Sequence, residues 1–278
     1  LESCAIRVRF FGRSDTGRRR STNEDSFVLC EDEGLGVVCD GMGGHDGGEV
    51  ASRMAVDIFS EHAGKGAAAL RGPGRKHAQL RAMAHDFVLD WTQRANAAIH
   101  RRGGSGSGER PGQPLSKSRM GTTLALAFFV SDFVVVANVG DSRVYRVRGS
   151  KIDRLTEDHV IMAEAKRHAA DPRPPRKRKF VTKALGTKGD VEPDVTLHEI
   201  APRDVYVLCS DGLTDMVKDE EILAIVTRAG VDRRLAVRTL IDTANKRGGP
   251  DNVTVVCAEV LEEADADADD TDVLPIER

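Results

Sequence analysis

Cysteine and aromatic residues are scarce in this chain, and each shortage excludes something. Among 278 residues there are five cysteines, one tryptophan, two tyrosines and nine phenylalanines. The cysteines (Cys4, Cys30, Cys39, Cys209 and Cys257) form no Cys-x-x-Cys pair and sit mostly inside apolar runs. An odd, scattered set of this kind excludes a disulfide-built scaffold and suggests a reducing compartment, with the cytoplasm as the expected location. The eight histidines are equally dispersed, which argues against a zinc site. No stretch approaches ~18 uninterrupted apolar residues, so no membrane span is expected. The start, Leu1-Glu2-Ser3-Cys4, lacks the basic-then-apolar pattern of a signal peptide. The basic run Arg173, Arg176, Lys177, Arg178 and Lys179 surrounds Pro174-Pro175 with no interleaved aromatic. It reads as a mobile loop rather than a nucleic-acid surface.

What remains is ordinary for a globular chain: 40% hydrophobic and 31% charged residues, with a net charge of −3. That charge is uneven. Residues 262–272 hold seven acids and no base (Glu262, Glu263, Asp265, Asp267, Asp269, Asp270, Asp272), and without them the rest carries +4. The expected organisation is one domain over 1–261, followed by an acidic, disordered tail over 262–278. A flexible Gly/Ser/Pro loop is expected over 103–118, inside the domain.

Hydrophobic periodicity alternates between two and 3.6 residues. Ile6, Val8 and Phe10 mark a first strand; Ser26–Cys30 and Leu35–Cys39 follow, joined through an Asp32-Glu33-Gly34 turn. Ala51, Met54, Ala55, Ile58 and Phe59 fall on one helical face, as do Leu80, Met83, Ala84, Phe87, Val88 and Trp91. Thr122–Val130, Phe133–Val139 and Ser142–Val147 read as an antiparallel meander. A short helix is expected over 159–169, helices over 219–229 and 233–247, and strands over 195–200, 205–209 and 253–260. Short connections between successive strands favour antiparallel pairing, hence a layered α+β domain.

Acids recur where apolar strands stop or start. Val37-Val38-Cys39 runs into Asp40-Gly41, Val139-Gly140 into Asp141, and Cys209-Ser210 into Asp211-Gly212. Glu24-Asp25 and Asp251-Asn252 each stand directly before a strand. One Asp-Gly after a strand is usually a turn. Five such junctions could bring carboxylates into one cleft, where they must take up protons or bind cations. Oxygen ligands without His or Cys select Mg²⁺ or Mn²⁺. The loop Asp40–Glu49 has five glycines in ten residues yet fits neither a Walker A loop nor a dinucleotide fingerprint. Arg18-Arg19-Arg20, just upstream, offers a guanidinium suited to clamping a phosphate.

Taken in order, Arg20-x-x-x-Glu24-Asp25, Asp40-Gly41-Met42-Gly43-Gly44-His45, Gly121-Thr122-Thr123, Gly140-Asp141-Ser142-Arg143, Ala184-Leu185-Gly186, Ser210-Asp211-Gly212-Leu213-Thr214-Asp215 and Asp251-Asn252 resemble the metal-dependent protein phosphatases of type 2C, in their bacterial branch. The likeness covers about residues 6 to 261. It implies a four-layer α-β-β-α sandwich, two antiparallel sheets flanked by helix pairs. It also implies a protein serine/threonine phosphatase that opposes bacterial Ser/Thr kinases, acts on phosphoproteins and works as a monomer. In that pattern Asp40 bridges two Mn²⁺ or Mg²⁺ ions, the Gly41 carbonyl binds one, and Asp211 and Asp251 complete the other. Glu24 holds metal-bound water with Asp25 and Asn252 in support, and Arg20 grips the phosphate. Asp141 and Asp215 match positions that, with Asp211, hold a weaker third ion. A water shared by the paired ions attacks the phosphorus directly. Gly121-Thr122-Thr123 and Ala184-Leu185-Gly186 are expected to be structural. Met42 stands where eukaryotic members have His as general acid, leaving His45 or metal-bound water as the proton source. The segment 159–184 corresponds to the family's flap beside the active site. A phosphoprotein-binding module without turnover is the alternative on this scaffold, disfavoured because every matched carboxylate is present.

Overall fold

The computed structural model describes residues 7–43, 47–72, 75–104, 120–164 and 177–261. In chain order the elements are β1 (Val8–Asp15), β2 (Asp25–Cys30), β3 (Leu35–Met42), α1 (Gly47–Leu70), α2 (His77–Gly103), β4 (Gly121–Thr122), β5 (Leu124–Val130), β6 (Phe133–Val139) and β7 (Arg143–Arg148). Then come β8 (Lys151–Arg154), β9 (Val160–Glu164), β10 (Lys177–Val181), β11 (Asp194–Glu199), β12 (Val205–Cys209), α3 (Asp211–Thr214), α4 (Asp219–Arg228), α5 (Arg233–Lys246) and β13 (Val253–Val260). Nearly all of the 103–118 loop, most of the basic Pro-rich segment and the acidic tail lie outside the described residues.

Two antiparallel sheets face each other, one ordered β1-β13-β12-β7-β8 and the other β11-β6-β5-β3-β2. Side-chain alternation on each strand decides which layer it serves. On β3, β5 and β6, residues such as Leu35, Val37, Leu126, Phe128, Val135 and Ala137 face α1 and α2. Their neighbours Val38, Ala125, Ala127, Val134 and Val136 meet Tyr206, Leu208, Val256 and Ala258 of the opposing sheet. The other faces of β12 and β13 present Val207, Cys209, Val255 and Cys257 to Leu213, Ile222, Val226, Leu240 and Ile241. Two sheets with buried outer faces need helices on both sides, and the result is the expected four-layer α-β-β-α sandwich.

The core helices meet the sheet through aromatics. Trp91 of α2 packs on Phe128 with ring centroids 5.3 Å apart and stacks on Phe87 at 6.0 Å. A Cβ on Gly66 of α1 would strike the Trp91 ring, so the two helices approach as closely as a glycine permits. Cys30, Cys39, Cys209 and Cys257 are free thiols, the last three buried as small apolar residues.

One expectation is corrected here. The described part of the short helix read over 159–169 is instead the β9 strand, antiparallel to β10 with Met162 opposite Lys179, and residues 165–169 lie outside the described residues. β-branched Val160 and Ile161 favour the extended conformation, and tertiary pairing settles a segment whose periodicity is too short to decide. Thr122–Val130 is also two strands rather than one, interrupted at Thr123.

Phe128 is fully buried, so Phe128→Ala should destabilise the chain by about 3–5 kcal/mol, read as a lower urea midpoint. Val231, 86% exposed, serves as control, and Val231→Ala should stay within about 0.5 kcal/mol.

Candidate active site

All the acidic junctions lie at one end of the sandwich. Antiparallel pairing sets Asp25, opening β2, directly across from Asp40 near the end of β3. In the other sheet β12 stops at Cys209 opposite Val255, so Asp211 and Asp251 leave from the same edge. β6 ends opposite the start of β5, delivering Asp141 there too.

The Asp40 backbone is clamped on both sides. Its N–H donates to Thr123 Oγ1 at 2.9 Å, while its carbonyl accepts from Thr123 N and Thr122 Oγ1, each at 2.9 Å. Thr122 in turn exchanges backbone hydrogen bonds with Leu185. The two motifs expected to be structural therefore hold the central carboxylate in place. Gly41 donates its N–H to the Glu24 carbonyl at 3.1 Å, and a Cβ there would strike the carbonyls of Glu24 and Gly48. A Cβ on Gly48 would lie 2.7 Å from Glu24 Oε1, so that carboxylate rests against the first turn of α1.

Asp25 is 7% exposed. Its Oδ2 accepts from Ser210 Oγ at 2.8 Å and Thr254 Oγ1 at 2.7 Å, joining the two sheets, while Oδ1 has no hydrogen-bond partner. Burial, reinforced by the charges of Asp211 and Asp251, pushes its carboxyl up to about 7. Asp40 keeps part of its surface toward solvent, yet it is held well above the ordinary range. Loss of water is the leading cause there, followed by the charges of Asp25, Asp211, Asp141 and Asp251. These charges act on Asp40 through space, in keeping with the strand ends that bring them to one end of the sandwich.

Asn252 organises the far side. Its Oδ1 accepts from Glu24 N at 2.9 Å, and its Nδ2 donates to the carbonyls of Thr16 and Thr22, both at 2.9 Å. Those bonds pin the loop carrying Arg20, whose Nη2 meets Asp251 Oδ2 at 2.8 Å. The hydrogen bond to Asp251 raises the guanidinium pKa, with smaller contributions from Glu24 and Asp40.

Asp141 follows Gly140, whose φ of 101° lies in the region glycine tolerates best. Burial first, then the charge of Asp211, lifts the Asp141 carboxyl to about 6, and the same two causes raise Asp215. The Lys179 ammonium stands 2.8 Å from Asp141, 3.0 Å from Asp211 and 3.3 Å from Asp215. Burial works against its charge, but Asp211 and Asp141 outweigh burial and hold its pKa well above that of an ordinary lysine. Arg143 of the Gly140–Arg143 motif has a supporting role: it forks onto Asp158 at 2.9 and 2.7 Å and donates to the Tyr145 hydroxyl at 2.9 Å.

Every carboxylate singled out in the sequence is thus found at this end of the molecule, as are Arg20, Gly41 and Asn252. His45 lies outside the described residues. Lys179 was missed because it sits in a basic run that reads as a loop. Ser210 and Thr254 were missed as partners of Asp25, since no sequence spacing links them. Among the described residues no three Asp, Glu, His or Cys side chains already close on one point as a metal cage. The donor set nevertheless suits a hard cation: it is all oxygen, and the buried Asp25 Oδ1 lacks a hydrogen bond.

With this geometry in place, the comparisons with known proteins are specific. The Protein phosphatase 2C family profile matches residues 14–239. The chain belongs to that family. It is 34% identical over 256 residues to the serine/threonine phosphatase stp of Listeria monocytogenes serovar 1/2a, covering 89% of this chain and 94% of that one. It is 32% identical over 259 residues to the serine/threonine protein phosphatase PstP of Mycobacterium tuberculosis, covering 92% of this chain and 45% of that protein. Among solved structures, the catalytic domain of PstP in complex with two manganese ions superposes with a TM-score of 0.69 at 28% identity, over 93% of this chain and all of that one. The S. agalactiae serine/threonine phosphatase gives a TM-score of 0.70 at 30% identity, over 91% and 99%.

The raised carboxyl of Asp25 has a consequence for the ion-free protein. A group whose pKa is higher folded than unfolded stabilises the fold at low pH and loses that contribution as pH rises through the folded value. With EDTA present, the wild type should therefore lose stability between about pH 4 and 7 relative to Asp25→Asn, whose amide carries no charge. Melting temperatures of the two proteins across that range are the check, and parallel curves would refute the assignment.

Proposed function

We propose that this chain is a Mn²⁺- or Mg²⁺-dependent protein phosphatase that removes phosphate from serine and threonine side chains, acting as a monomer and opposing bacterial Ser/Thr kinases. The observation that carries the reading is the gathering of Asp25, Asp40, Asp141, Asp211 and Asp251 at one end of the sandwich, where the charges of the other four raise the Asp40 carboxyl. Family membership supports it, and so do the two manganese ions of the related PstP domain.

In this reading Asp40 would be a ligand shared by the paired ions, the Gly41 carbonyl would help hold one, and Asp211 and Asp251 would help hold the other. Glu24 lies beside the pair, with Asp25 and Asn252 fixing its backbone and neighbours. Asp141 and Asp215, with Asp211, flank a weaker third position. Paired divalent ions, when bound, acidify a water to near-neutral pKa and offset the charge that builds on the phosphoryl oxygens during in-line attack.

The protein's own groups do the rest. Arg20 presents a planar fork suited to two phosphate oxygens, and its present partner Asp251 sits where an ion would take over its neutralisation. The Thr122 and Thr123 bonds keep Asp40 from recoiling from its neighbours. Met42 is a thioether with no proton to give to the leaving oxygen. Nor is His159 free to do so: its Nδ1 accepts from Gly140 N–H at 3.1 Å, which leaves Nε2–H to donate to Asp194 at 3.1 Å.

Purified protein with Mn²⁺ should hydrolyse phosphothreonine peptides and stop when EDTA is added. Asp40→Ala or Asp211→Ala should lower kcat by about 10³-fold or more, since several kcal/mol of charge stabilisation is lost. Asn252→Ala should weaken Mn²⁺ dependence by roughly 10–100-fold, as expected for a residue that orients ligands. Inertness toward several phosphopeptides and an aryl phosphate at excess Mn²⁺, or activity indifferent to EDTA, would overturn the proposal.

A further inference from the structure

Three carboxylates and one ammonium form a closed group on the β10 side of the cleft. Lys179 Nζ lies within 3.3 Å of Asp141, Asp211 and Asp215. It donates hydrogen bonds to Asp211 and Asp215, whereas its 2.8 Å approach to Asp141 Oδ2 is an ion pair without an aligned hydrogen bond. The Asp141 side chain is only 2% exposed, so its charge cannot be left to solvent. The lysine is not a stray surface group either. Its strand leads into Thr182, whose N–H and Oγ1 donate to the His159 carbonyl at 2.8 and 3.0 Å. His159 N–H in turn donates to the Gly140 carbonyl at 2.8 Å, one residue before Asp141. The root of the β9–β10 hairpin is thereby fastened to the loop that carries the most buried of the three acids.

We propose that Lys179 is the resident cation of the Asp141–Asp211–Asp215 pocket in this chain. This rests on the phosphatase reading of the cleft and refines it. A compact ammonium hydrogen-bonds Asp211 and Asp215 while its charge also faces Asp141, and its tether keeps it at high local concentration. A divalent ion can occupy this position only by displacing a side chain already held there. Of the acids assigned to the paired positions, Asp211 and Asp251 each meet a single side-chain cation, Lys179 and Arg20 respectively, whereas Lys179 stands against all three acids of this pocket. The chain therefore binds two ions readily and a third only weakly.

The test is the Mn²⁺ binding stoichiometry of the whole chain, measured by calorimetry and by electron paramagnetic resonance of free Mn²⁺, without reference to turnover. The wild type should take up two ions before any third. Lys179→Met, similar in length and uncharged, should bind a third ion at least tenfold more tightly than the wild type does. Lys179→Arg, which keeps the charge, should behave like the wild type, and adding Asp215→Asn to Lys179→Met should abolish the gained site. Equal third-ion affinity in wild type and Lys179→Met, or three ions of equal affinity in the wild type, overturns the proposal while leaving the phosphatase reading intact. Failure of every variant to bind any Mn²⁺ overturns both.

Discussion

Mutual repulsion among carboxylates at one end of the sandwich is the constraint on which the rest of this structure depends. Asp25 and Asp40 sit in the β2–β3 ladder, and Asp141, Asp211 and Asp251 stand within two residues of the ends of β6, β12 and β13, so strands of both sheets deliver all five there. Gathering like charges in a partly dry cleft is costly unless protons or cations offset them. In the ion-free protein both devices are visible. The carboxyls of Asp25 and Asp141 are raised toward neutral pH, so that protons are taken up more readily there, while Arg20 and Lys179 lend positive charge to Asp251 and to the Asp141–Asp211–Asp215 group.

The hydrophobic layers make such a cleft tolerable. Three stacked cores fix the strand ends to within the slack of close packing, and short polar clamps finish the positioning. Thr122 and Thr123 hold the Asp40 backbone, Ser210 and Thr254 reach Asp25 from the opposite sheet, and Asn252 ties the entry to β13 to three points of the loop between β1 and β2. A site held this way is prepared for an ion before the ion arrives, as two-ion chemistry requires.

Most of the fold was legible because its strands are strongly apolar and its helices long. Val205–Cys209 and Val253–Val260 appear with the expected bounds, and the two core helices carry the stripes read from Ala51 and Leu80 onward. The site was legible for a different reason: acids at strand ends are conspicuous against such runs. The features that escaped are those fixed by distant contacts. β9 and β10 define each other by pairing, so neither carries a decisive local signal. Lys179 shares its composition with a basic loop, and only the fold brings it to three aspartates more than thirty residues away. Arg143 was read as part of a motif, but it was the structure that assigned it to Asp158 rather than to a phosphate.

The most direct measurement is an anomalous difference map at the manganese edge from crystals equilibrated with Mn²⁺. Two peaks flanking Asp40, one of them shared with Asp211 and Asp251, and an Arg20 guanidinium turned away from Asp251 are the predicted result. Saturating Mn²⁺ that leaves no peak among these carboxylates, with Arg20 still seated on Asp251, would contradict the account.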